Sequence, residues 1–505
     1  MPLQPSRRAV LTSSLAGVAA AGVTAARSSQ AAGTGATGPL PVSHDPVLHA
    51  VRRLTFGATP ALVDHVRKIG LNAWLDEQLA DSADVNGTLA GSGFPSLPLP
   101  EPVAAAVAKQ VGRDAVRDLQ VATFARAAWG DRQLYELMVE FWSNHLSMAA
   151  QTPQVRDHKV VDDRDVVRKH ALGTVTDLLT ASVQSPAMLR YLSNASSVGR
   201  HPNENYAREL LELHTVGVQS RYTQRDVRDA ARVLTGLTVD TRTGQFTYRP
   251  EWHATGPVKV LGWTDPNADA SKGLGVALSL VRYLASHPAT ARHLATKLVR
   301  RLVSDTPPAG LVASAAQVYL ASGTAVVPVL RHIVGSAAFA RSSGQKSQRP
   351  FDWCTAAVRA LGLQPQPTLA VDGGGIVHLL QQLGQAPFEW PAPDGYPDVT
   401  GAWASTASML SRWNAAQALA HGTVAGIKPL DADALVGTPL PATAGALVDR
   451  LAGRLLAGTP RAALRAAVLE GVSLPAGATV DQAKVRALSP QIAALLLSSP
   501  EAQVR

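Results

Sequence analysis

The sequence predicts a mainly α protein, a multi-helical bundle or solenoid-like array with one small β insertion near residues 237–261. Three observations lead there. Apolar residues recur at helical spacing, with Pro or a small polar cap before each run and Gly after it. Aromatic residues make up only 5% of the chain against 46% hydrophobic, so the core is built mainly from Ala, Leu and Val, which let helices approach closely. Only between Leu237 and Leu261 does the periodicity shorten to that of strands. At 505 residues the chain exceeds what one compact core usually supports, so several packed regions are expected, and no repeat of fixed period is visible.

Taken in order, Ser6-Arg7-Arg8-Ala9-Val10-Leu11 is a charged start to an Ala-rich apolar run ending near Ala26. Paired arginines before a modest hydrophobic stretch predict a twin-arginine signal peptide over 1–32, cleaved between Ala25 and Ala32. An ordinary secretory signal that holds two arginines is the competing reading. Either one places the mature protein outside the cytoplasm, secreted or associated with the cell envelope. The run is too short and too interrupted by Gly and Ser to span a membrane, and no later segment is suited to do so.

A Gly/Thr/Ala linker covers 33–44, and an N-terminal helical region follows over 45–236. There Asp45 caps a helix over 47–55, and Thr59-Pro60 opens and Gly70 closes one over 61–69. Further helices are expected over 103–129, 132–149, 160–171, 175–184 and 187–192. A capping box at Thr223–Asp226 starts a helix that ends at Gly236. Strands at 238–241, 245–249 and 258–261 make up the insertion, 237–265. A C-terminal helical region runs over 266–505, interrupted by a Pro/aromatic loop at 385–403.

The formal charge is +9; without Arg7, Arg8 and Arg27 of the signal, 44 basic residues face 38 acidic ones, about +6. This excess is scattered, which fits a solvated surface and argues against nucleic acid as a partner. Cys354 is the single cysteine, so no intramolecular disulfide exists; beside Trp353, with no adjacent His or Lys, it reads as a buried, unreactive thiol. The chain lacks H-E-x-x-H, C-x-x-C, P-loop and G-x-S-x-G motifs.

The chemically richest stretch is His201-Pro-Asn-Glu-Asn-Tyr-Ala-Arg-Glu-Leu-Leu-Glu-Leu-His214-Thr-Val-Gly217. With Pro202 in the first turn of a helix, Asn205, Glu209 and Glu212 form one polar stripe, while Tyr206, Leu210, Leu213 and His214 face the core. Two carboxylates and a histidine suit acid–base catalysis or a divalent cation. Equally, Arg208 can pair with Glu204 or Glu212, and His214 can cap a neighbouring helix. Two further polar islands are Glu140-Phe-Trp-Ser-Asn144-His145 and His253 at the edge of the insertion. Together they give a candidate catalytic set of Glu209, Glu212 and His214 and a candidate divalent-metal set of His145, Glu209, Glu212, His214 and His253, supported by Glu204 and Arg208. The loop Pro387-Phe-Glu-Trp390-Pro-Ala-Pro-Asp-Gly-Tyr396-Pro-Asp398, with Trp403 after it, either presents Trp390, Tyr396 and Trp403 to a glycan or peptide or clamps across helices.

The run Asn203–Gly217 with Tyr222-Thr-Gln, together with Phe141-Trp-Ser-Asn-His145, His287-Pro-Ala-Thr-Ala-Arg-His-Leu-Ala-Thr-Lys297-Leu-Val and the Trp390–Trp403 loop, resembles the bacterial domain of unknown function 1800 family. The resemblance extends from about Pro46 to at least Ala420. It implies an exported, predominantly helical protein, often encoded beside a sulfatase-like secreted partner, and no established reaction. Ser143 stands where the family often has His, which leaves His145 as the histidine of that motif.

Two functions follow as expectations. One is a metal-assisted enzyme acting on a cell-envelope or polysaccharide substrate. The other is a non-catalytic extracytoplasmic binding or scaffold protein with a glycan or envelope ligand.

Overall fold

Helix caps written into the sequence set the first elements of the fold. In a computed structural model, which describes residues 45–80, 112–366, 369, 374–458 and 460–505, Asp45 accepts hydrogen bonds from the amides of Val47 and Leu48 and opens helix α1, Pro46–Leu54. The expected signal over 1–32 and linker over 33–44 lie outside the described residues. Thr59 caps α2, Pro60–Ile69, which packs on α1, and Gly70 closes it with an amide bond to Val66. Helix α3 is described over Gly112–Trp129; the expected start at 103 lies outside the described residues.

Helix α4, Gln133–His145, is shorter than the expected 132–149: the chain leaves the helix at Leu146, and the Ala150 amide bonds instead to Phe388 of the aromatic loop. The stretch expected as one helix over 160–171 is a short α-helix, Lys159–Asp162, that widens into a π-helix, Asp163–Arg168. Helix α5, Val175–Val183, follows as expected. The Glu/His helix begins later than Pro202 suggests, because Asn203 caps α6, Glu204–Glu209, through the Asn205 amide. It then continues as a π-helical turn, Leu210–His214. The capping box forms at Thr223 and Asp226, opening α7, Gln224–Leu234, which packs on α6.

The β insertion is two separate antiparallel hairpins. Strand β1 (Leu237–Val239) pairs with β2 (Phe246–Tyr248) in the register Leu237–Tyr248. Strand β3 (Val258–Val260) pairs with β4 (Trp263–Asp265), a strand the sequence reading missed. The turn between β3 and β4 is the two residues Leu261 and Gly262, both left-handed, and a turn of that kind matches the twist of a tight hairpin. Helix α7 packs on β3, so the insertion is anchored to the helical body.

Helices resume with α8 (Gly273–Ala285), which packs on α5. Next come α9 (Pro288–Leu302) and α10 (Ala309–Ala321), neighbours along much of their length. His287 caps α9 by accepting from the Ala289 amide, with Pro288 in the first turn, where a missing N–H costs nothing. Then α11 (Pro350–Leu361) packs on α3, and α12 (Thr406–Ala420) packs on α11 and on α13 (Gln482–Leu497).

The core is dominated by Ala, Val and Leu, with Trp74, Trp142 and Trp353 fully enclosed. Arg53 of α1 ties distant parts together: its guanidinium donates to the carbonyl oxygens of Leu302, Val303, Ser342 and Arg505 at 2.7–3.0 Å. No helix among the described residues is long and apolar enough to cross a membrane.

Candidate functional site

Helices α4, α6 and α9 bring three imidazoles and one ammonium together. His145 ends α4, His214 ends the π-turn after α6, and His293 and Lys297 stand one turn apart on α9. The His145 ring lies 6.1 Å from that of His214 and 6.3 Å from that of His293, centre to centre. The π-turn is what delivers His214. It holds an extra residue relative to an α-turn and re-aims the side chain, while Thr215 Oγ1 takes up the displaced Leu210 carbonyl at 2.6 Å. His145 and His214 are each 1% exposed.

Hydrogen bonding fixes the tautomer of His145. Its Nε2 lies 3.1 Å from the His214 carbonyl oxygen, which can only accept, so Nε2 carries the proton. Nδ1 is therefore the lone-pair side, and Lys297 Nζ donates to it at 2.9 Å. The expected cap by His214 does not form: both of its ring nitrogens are buried without a hydrogen-bond partner, as is Nε2 of His293.

Among the described residues no carboxylate pairs with this cluster, and burial sets its protonation. Desolvation, with the Lys297 charge next in size, holds His145 well below the usual imidazole value, His214 at about 3 and His293 at about 4. Burial also lowers Lys297 to about 8, aided by Arg300; Asp394 and Asp398 oppose this only through space.

Lys297 is half-buried and lines a cavity of about 250 Å³ between α4, α9 and the aromatic loop. Its walls carry four cations, Lys297, Arg300, Arg301 and Arg349, and three carboxylates, Glu140, Asp394 and Asp398, with Trp390 and Tyr396 as aromatic surface. Two of the cations are committed elsewhere. Arg301 grips Asp352 with two bonds of 2.8 and 2.9 Å, and Arg349 binds Glu140 at 2.6 Å and Asp352 at 3.2 Å. Asp398 is paired with Lys346 at 2.9 Å and held at about 2, with burial opposing Arg349, Lys346 and Arg301. Asp394 accepts from the Trp390 indole at 2.8 Å. Lys297 and Arg300 have no ion pair among the described residues; the Arg300 guanidinium makes one long bond, 3.4 Å, to the Asp305 carbonyl.

The aromatic loop is held to α4 by Asn144, whose amide bonds both ways to the backbone of Tyr396, at 2.9 and 2.7 Å. Gly395 adopts φ +77°, and any β-carbon there would collide with the Asn144 carbonyl, so the close docking needs glycine. The Trp390 ring lies tilted against Tyr396, centres 5.0 Å apart, and Tyr396 lies tilted at 6.2 Å against Trp403, whose indole bonds to Pro397 within the loop. The clamp and the presented surface thus coexist: Tyr396 is anchored through Ala386, while Trp390 and Tyr396 both face the cavity. Ser143 lines a narrower, mostly apolar cleft of about 50 Å³ that shares Glu140, Asn144, Trp390 and Tyr396 with this cavity.

The other candidates are placed apart from the cluster. Glu212 accepts from the Tyr222 hydroxyl and pairs with Arg208 at 3.5 Å, and Arg208 also holds Glu204 at 3.1 Å. Glu209 is half-buried, and desolvation together with Glu212 raises its carboxyl above the usual range. His253 has its two ring nitrogens against Asn267 Oδ1 at 2.8 Å and the Thr235 carbonyl at 3.0 Å, within the insertion's own hydrogen bonds. His145, Glu209, Glu212, His214 and His253 therefore do not assemble as one ligand sphere. Among the described residues no three His, Cys, Asp or Glu side chains are grouped to hold a metal ion. The residues that join His145 and His214 are His293 and Lys297. Their i, i+4 spacing on one helix was the signal available in the sequence.

No curated protein and no solved structure matches this chain. The family model described as "Protein of unknown function (DUF1800)" matches residues 49–504, nearly the whole described body and every residue of the cluster, so the chain belongs to the DUF1800 family.

Proposed function

We propose that this is an exported carbohydrate-binding protein whose ligand is an acidic envelope polysaccharide, seated between α4, α9 and the aromatic loop. The observation that carries the reading is that Lys297 and Arg300, which have no ion pair among the described residues, stand on a cavity walled by Trp390 and Tyr396. Flat aromatic faces suit the apolar faces of sugar rings, and unpaired cations select a carboxylate or sulfate. About 250 Å³ accommodates one sugar-sized residue of a chain that continues into solvent.

Export is part of the proposal and rests on the Arg7-Arg8 pair. Replacing both with Lys keeps the charge and removes the pair that the twin-arginine route reads, so the double variant stays in the cytoplasm. Normal secretion of that variant would assign the ordinary secretory route. For the ligand, calorimetric titration of oligogalacturonate against a neutral oligosaccharide of equal length should give heat for the acidic chain alone. Trp390→Ala should weaken it by roughly 1 kcal/mol, the worth of one stacked ring. Equal binding of the neutral chain would remove the role assigned to the cations.

A further inference from the structure

We infer that Lys297 is an imine-forming nucleophile, oriented by His145, for carbonyl compounds that carry an anionic group beside the carbonyl. This rests on the cavity assigned above as a ligand site and adds a covalent step to it.

Four features converge on Nζ. It faces a cavity, so a substrate can reach it. It has no carboxylate within ion-pairing distance among the described residues, so nothing pins it as an ammonium. Its one hydrogen bond is to the lone-pair side of His145, a ring locked in that tautomer by the His214 carbonyl. Arg300, one turn along α9, offers an uncommitted guanidinium to an adjacent carboxylate or phosphate. Burial lowers the lysine to about 8, so about half of it is neutral amine near that pH, whereas an exposed lysine is almost wholly protonated. Desolvation of this kind is the usual way a lysine is made nucleophilic.

The step balances without a further reagent. The neutral amine adds to the carbonyl carbon and gives a carbinolamine. Its hydroxyl then leaves as water with one proton from the medium, and the C=N bond forms as an iminium. His145 acts as a positioning residue: it accepts an N–H of Lys297 and directs the amine towards the cavity. Substrates of this class are 2-oxo acids, including the open-chain form of 2-oxo sugar acids, in which the carboxylate adjoins the carbonyl.

The test is reductive trapping with glyoxylate and cyanoborohydride at pH 8 on the folded protein, read by peptide mass spectrometry. Lys297 should be captured at least about tenfold faster than the exposed Lys68, because an exposed lysine is almost wholly protonated at this pH. Lys297→Arg should abolish the dominant product. Arg300→Gln should slow capture of glyoxylate more than that of propionaldehyde: loss of the Arg300 charge raises Lys297 and slows both, and loss of the carboxylate partner slows glyoxylate further, a split that a merely structural arginine would not produce. Labelling spread over lysines in proportion to exposure overturns the inference, as does equal slowing of both aldehydes. The two readings fail separately. Binding of acidic oligosaccharide without preferential trapping removes only the imine, and trapping without such binding removes only the polysaccharide ligand.

Discussion

Asp352 shows how much of this protein rests on single buried charges. It is 1% exposed and is contacted by Arg301, Arg349 and Arg505, and these cations hold it well below the usual carboxylate range against the opposing effect of burial. Asp352→Asn keeps the shape and removes the charge shared by three guanidinium groups, of which Arg301 and Arg349 retain only Glu140, so a loss of about 3–5 kcal/mol is expected in denaturant unfolding. A loss below about 1 kcal/mol would mean that the arginines find other partners. Cys354 is the opposite case, a residue whose environment was legible from its neighbours. It is fully enclosed, burial pushes its thiol up to about 12, and it should resist iodoacetamide in the native protein and react on unfolding. Asp352 was not legible in the same way. Arg349 is a local partner three residues before it, but the others are Arg301, 51 residues earlier, and Arg505, and no local pattern signals those two pairings.

Helix starts were readable at the scale of elements because a cap acts within three residues. Asp45, Thr59 and the Thr223–Asp226 box all do what their spacing indicates. What escaped was the widening of the Glu/His helix at Leu210–His214, which depends on tertiary contacts. An α-helical projection already turns His214 to the core, away from Glu209 and Glu212; what it does not show is that the π-turn sets His214 beside His145, while Glu212 stays with Arg208 and Tyr222. The aromatic loop was found by composition, yet its anchor, Asn144, lies some 250 residues away. Asn144→Ala removes both bonds to the Tyr396 backbone and should cost about 1–3 kcal/mol. Hydrogen exchange at the Tyr396 amide should accelerate, while the Leu48 amide in α1 stays protected. Unchanged exchange at Tyr396 would show that ring stacking alone holds the loop.

For the whole molecule, five buried imidazoles give the pH dependence. His145 sits well below 6.5, His214 at about 3, and His293, His49 and His158 at about 4, in each case chiefly through desolvation. The unfolded chain takes up these protons near 6.5, so between pH 6.5 and about 4 the unfolded state binds more protons. The imidazole contribution to stability is therefore complete above about 6.5 and falls as pH drops through that window. Lys297 acts in the same sense higher up: folded at about 8 against 10.5 unfolded, it makes stability rise with pH across that interval. Replacing His214 with Gln should remove about one proton from the slope of stability against pH between 4 and 6. An unchanged slope would mean that His214 is not buried as a neutral ring.

Lys297 and Arg300 stand on the cavity without an ion pair among the described residues, and in the proposed complex an anionic ligand completes them. Calorimetric titration of oligogalacturonate into wild type and Arg300→Gln, each at two salt concentrations, tests it most directly. Affinity should fall about tenfold or more in the variant, the worth of one charge-assisted bond, with an unchanged melting temperature and a weaker dependence on salt. Equal affinity and equal salt dependence in the two proteins would contradict the assignment of this cavity.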